Sequence, residues 1–64
     1  MYYLKVFFPG DPVAVQTVDV KRAPETLTRI PELLKEHDGC ERIVVFLGAT
    51  RLFAVDCHGR RVDP

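Results

Sequence analysis

The chain has no surplus of either charge: its 64 residues carry nine basic and nine acidic side chains. A surface built to hold polyanions is normally basic, so this balance speaks against a dedicated nucleic-acid binder. Cysteine is scarce as well. Cys40 and Cys57 are the two present, too few for the disulfide framework of a small secreted scaffold. No apolar run approaches the ~18 residues that a membrane span needs. Residues 1–8 are apolar, but they carry no basic leader, Lys5 interrupts them and Pro9-Gly10-Asp11-Pro12 stops them. They do not read as a signal peptide. The expected compartment is the cytoplasm, where thiols stay reduced.

Motifs that carry chemistry are missing too. There is no phosphate-binding glycine loop, no Gly-x-Ser-x-Gly elbow and no His-Glu-x-x-His pair. No segment is diagnostic of a known family, and no cofactor is expected. Neither repeats nor linkers divide the chain, so residues 1–64 read as one domain. A domain this small hides only about 60% of the surface its unfolded chain exposes, and commonly needs a disulfide, a metal or a partner.

What is present is a pattern of strands around one helix. Residues 2–8 are rich in aromatic and β-branched types and predict a first strand. Pro9-Gly10 suits a type II turn, and residues 13–20 read as the returning strand of a hairpin. Leu27, Ile30 and Leu34, with Leu33 beside them, form an apolar stripe at helical spacing. A proline in a helix interior costs ~3 kcal/mol, whereas in the first turn it is harmless. The regular helix is therefore expected over about residues 28–37, with Thr28 as its cap, Pro31 in its first turn and Gly39 just past its end, Pro24 to Leu27 forming an irregular lead-in or an extra turn before it.

Ile43 to Leu47 is apolar on both faces, as in a central strand. Gly48-Ala49 predicts a tight hairpin to a strand over residues 51–55. Asp56-Cys57-His58-Gly59 predicts a further turn, to a short edge strand at residues 60–62. The expected fold is α+β: a two-layer, antiparallel sheet of four or five strands with one helix on one face, in the order β-β-α-β-β(-β).

One helix of this length covers one sheet face, not two. A regular register from the Gly48-Ala49 tip puts Ile43, Val45, Leu47, Leu52 and Ala54 under the helix. The other face then carries Tyr3, Phe7, Val44, Phe46, Phe53 and Val55, flanked by Lys5, Arg42 and Arg51. A large bare apolar patch usually marks an interaction site. Three covers compete for it: the chain's own loops and tail, a second copy, or single-stranded nucleic acid stacked on the aromatics beside the cations.

The same register sets Cys40 opposite Cys57. That allows a cross-strand disulfide, a zinc site with His37 and His58, or two unpaired thiols beside solvent-facing histidines, the last being the reading preferred. Taken together, these residues predict a small, non-enzymatic interaction protein that forms a homodimer through the apolar sheet face or an edge strand. Another protein partner is possible, nucleic acid is the alternative and less expected occupant, and no membrane is expected. An enzyme with a site at a dimer cleft is third. The interface candidates are Tyr3, Phe7, Arg42, Val44, Phe46, Arg51, Phe53 and Val55.

Overall fold

A computed structural model describes residues 1–62; the expected chain end at Asp63-Pro64 lies outside the described residues. The elements follow in the order β1 (Tyr2–Phe7), β2 (Gln16–Val20), α1 (Ala23–Glu36), β3 (Arg42–Leu47), β4 (Thr50–Asp56) and β5 (Arg61–Val62). The five strands form one antiparallel sheet in the order β2-β1-β3-β4-β5. With α1 packed over β1 and β2, this is the expected α+β architecture. β2 and β3 both pair antiparallel with β1, so they run parallel to each other. Parallel strands cannot be joined by a tight turn, and α1 supplies the crossover between them. No helix among the described residues is long and apolar enough to cross a membrane.

Turn chemistry sets the hairpins. The Asp11 N–H donates to the Phe8 carbonyl at 3.1 Å and Gly10 has φ +78°. This is the type II turn that Pro9-Gly10 predicts, with glycine where φ must be positive. β2 begins later than expected, at Gln16, because Asp11 Oδ1 accepts from the Val13 N–H at 3.0 Å and draws that stretch into a loop. At the β3–β4 tip Leu47 lies opposite Thr50 across Gly48-Ala49, as the sequence predicts.

The helix differs from expectation. It starts at Ala23 with Pro24 in its first turn, and Pro31 lies inside it. The bond that Pro31 cannot make would reach Leu27, and both residues are exposed, so water can serve the freed carbonyl. Burial on the sheet by Thr26, Ile30 and Leu33 holds the helix together across the proline. Leu27, expected in the stripe, is 66% exposed. The buried stripe is shifted one position around the helix, with Leu34 at its flank. The helix ends at Glu36 with His37 as its cap. Gly39 therefore serves a separate turn, in which the Cys40 N–H donates to the His37 carbonyl at 3.1 Å.

The core lies between α1 and one sheet face. Leu4, Val6, Leu33, Ile43 and Val45 are fully buried, with Val20, Ile30, Cys40 and Val55 around them. Each large aliphatic side chain buried there contributes roughly 1.5–3 kcal/mol.

A cationic, aromatic sheet face

β3 and β4 do not keep one register. Phe46 lies opposite Arg51 and Val45 opposite Phe53, so Leu52 is an extra residue, a β-bulge. Below the bulge every β4 side chain falls on the face opposite to the one a regular ladder predicts. Phe53 and Val55 must therefore be corrected. Val55 belongs to the core under the helix and Phe53 packs against that core, with the Arg61 guanidinium 5.5 Å from its ring centroid. Ala54, expected under the helix, takes their place on the helix-free face, opposite Val44.

The other candidates come together on that face. Cross-strand pairs set Tyr3 beside Phe46, Lys5 beside Val44 and Phe7 beside Arg42. Phe46 in turn lies beside Arg51, and Val62 of β5 beside Ala54. A shallow, open depression of about 470 Å³ runs across this surface, lined by Phe7, Arg42, Val44, Phe46, Arg51, Ala54 and Val62. Its floor is formed by Val44 and Ala54, which are 5% and 1% exposed although no helix covers them. Longer neighbours shield them: apolar stems of Lys and Arg lie along such surfaces while their charged heads stay in water.

The cations are organised by the rings. Lys5 Nζ sits 5.0 Å from the Phe46 centroid, and the Arg42 guanidinium 5.2 Å from that of Phe7. Such contacts hold a cation over a ring without neutralising it. Arg42 also contacts the Glu41 carboxylate at 3.0 Å. Among the described residues neither Lys5 nor Arg51 has a carboxylate within ion-pair distance. Asp56, opposite Arg42, is committed elsewhere: its Oδ1 accepts from the His58 and Arg60 N–H groups, each at 2.9 Å. Those bonds hold its carboxyl below the usual range.

The balanced total charge conceals a separation. Residues 23–38 hold Glu25, Glu32, Glu36 and Asp38 against Arg29 and Lys35. Arg29 lies 2.7 Å from Glu32 and 3.9 Å from Glu36, which ties up positive charge on the helix. The opposite side of the sheet carries Lys5, Arg42 and Arg51 together with Asp19, opposite Tyr3, and Asp56, which leaves a small positive excess there. Position along the strands, not composition, carries this signal, and a linear count of charges misses it.

The cysteines give no second site. Both are free, Cys40 buried and Cys57 exposed. The bulge removes the direct opposition expected of them: Arg42 faces Asp56, so continuing the ladder sets Cys57 against Glu41. Burial, followed by the neighbouring Cys57, pushes the Cys40 thiol up, which makes it a poor nucleophile at neutral pH. Among the described residues no group of three or more His, Cys, Asp or Glu side chains is placed to hold a metal ion. His37 is half-buried, not solvent-facing as expected. Its ring meets Phe8 edge-on at 6.4 Å, and its Nδ1 donates to the Leu33 carbonyl at 3.0 Å. No family model matches this chain, and no curated protein or solved structure matches it either.

Proposed function

We propose that this chain is a small non-enzymatic binding module whose working surface is the helix-free sheet face. One observation carries the reading: the face that α1 leaves open is concave, has an apolar floor, and presents Lys5 and Arg51 without ion-pair partners among the described residues. A fold that merely needed to cover Val44 and Ala54 could do so with neutral side chains. Tyr3, Phe7 and Phe46 are half-exposed and add ring surface, covered at Phe46 and Phe7 only by the mobile side chains of Lys5 and Arg42. The test is backbone amide shift mapping with a single-stranded oligonucleotide, an acidic peptide and dilution of the protein itself. The expected shifts fall on residues 3–7, 42–46 and 51–54. Shifts confined to the outer side of the helix, or none with any addition, contradict the reading.

Self-association as a homodimer is the second reading. It is favoured by the exposure of Leu47 (42%), Leu52 (39%) and Val62 (40%) around the stretch of β4 that β5 leaves unpaired. Among the described residues β5 pairs with Ala54 and Val55 alone, which leaves residues 50–53 as an open sheet edge. Light scattering should then give twice the monomer mass. Phe46→Asp separates the routes, since it disperses a dimer formed through the face and leaves one formed through the edge. A monomer at all concentrations removes this reading.

A further inference from the structure

The open face as binding surface is the premise here, and charge, ring placement and edge geometry together narrow its occupant. A second copy laid on this face by two-fold symmetry would bury two sets of Lys5, Arg42 and Arg51 in one interface, a desolvation cost unless each cation meets a carboxylate. An acidic peptide added as a strand would take the outer edge of β2 or the bulged edge of β4, and neither position lays it across the rings of Phe7 and Phe46 on the face. A duplex is read by elements that enter a groove, whereas these rings lie on a concave sheet. What fits rings and unpaired cations on one shallow surface is a chain of stackable bases joined by phosphates.

We infer that the helix-free face binds single-stranded nucleic acid, with bases stacked at Phe46 and Phe7 and phosphates held by Lys5 and Arg51. The two stations lie at opposite ends of the β1–β3 ladder. Phe46 is level with Tyr3, and Phe7 lies four positions further along β1, about 13 Å at ~3.3 Å per residue. Lys5 stands midway between them, opposite Val44, and Arg51 flanks Phe46 from β4. Base stacking at Phe46 displaces the Lys5 ammonium from the ring and frees it for a phosphate. At Phe7 the Arg42 guanidinium already covers the ring, and its outer plane offers a second stacking surface.

The test is fluorescence anisotropy at low salt with a labelled single strand of about 12 nucleotides, the matching duplex and a labelled polyglutamate peptide. The single strand should bind preferentially. Its log affinity should fall against log salt with a slope of about −1.4, as expected for contacts to two phosphates. Lys5→Gln with Arg51→Gln should bring that slope close to zero, since both phosphate contacts are removed. Phe46→Leu keeps an apolar side chain there but removes the ring; it should weaken binding roughly tenfold and leave the slope unchanged. Equal binding of the duplex or the peptide, indifference to Phe46→Leu, or no binding of the single strand overturns the inference. If the single strand fails while amide shifts still map to this face with peptide or on dilution, the occupant is wrong and the surface stands. If no addition shifts the face, both readings fall.

Discussion

Phe53 lies opposite Val45, not opposite Val44 as an unbroken ladder from the hairpin tip would place it. That one-residue displacement puts Phe53 with the core and leaves Phe46 on the open face, so two phenylalanines seven positions apart acquire different roles. Truncation should separate them. Phe53→Ala is expected to cost about 2–3 kcal/mol, below the ~3–5 kcal/mol of a fully buried phenylalanine because its ring is only partly buried. Phe46→Ala, whose ring packs beneath Lys5, should cost about 1 kcal/mol. Urea unfolding of the two variants checks this, and equal losses would contradict the register.

The bulge also marks the limit of what the sequence makes legible. Element order, the central position of β3 and the Gly48-Ala49 tip follow from apolar patterning and turn residues. The position of an extra residue does not. Arg51-Leu52-Phe53-Ala54-Val55 alternates no more cleanly in one register than in the other, since Phe53 and Val55 suit either face. Tertiary packing decides, by burying Val55 beside Ile43. The face is legible on β1 and β3, where regular pairing preserves alternation, and not on β4 beyond the bulge. Pro31 misled for a related reason: local propensity set the helix start, and burial of Thr26 and Ile30 overrode it.

Pro31 should therefore be a reserve of stability. It lies exposed within α1 and denies the helix one backbone hydrogen bond. Pro31→Ala should stabilise the fold by about 1–3 kcal/mol. At ~4–8 °C per kcal/mol in a domain of this size, thermal melting should register a clear rise. An unchanged or lower Tm would show that the proline fits its place without penalty.

Asp56 organises the β4–β5 turn through the N–H groups of His58 and Arg60, and its carboxyl titrates below the ordinary range. A carboxyl depressed in the folded state adds stability above its unfolded pKa of about 3.8 and loses it as pH falls through the lower folded value. Wild type should exceed Asp56→Ala in stability at pH 6, and the gap should close on acidification below about pH 4. Urea midpoints of both proteins across that range measure it. A gap independent of pH would mean that the carboxylate charge is irrelevant to the turn.

The thiols should react at very different rates. Cys57 is exposed, whereas Cys40 is buried and its thiol is pushed up, first by that burial. Iodoacetamide at pH 8 should label Cys57 in the native protein and reach Cys40 only when denaturant is added. The neutral Cys40 thiol favours the fold below its unfolded value of 9.0, and that contribution is lost as pH rises through the higher folded value. Native-state labelling of Cys40 at a rate matching Cys57 would contradict its placement. Peptide mass mapping distinguishes the two.

The central claim is that the face bearing Phe46, Phe7 and Lys5 touches a single-stranded nucleic acid. Zero-length ultraviolet crosslinking of a halogenated-uracil single strand, read by mass spectrometry, tests contact itself. The account predicts crosslinks on Phe46, Phe7 or Tyr3, which are lost when Lys5 and Arg51 are both changed to glutamine. Crosslinks confined to the helix over residues 23–36, or to the His58 turn, or none at all, would contradict it.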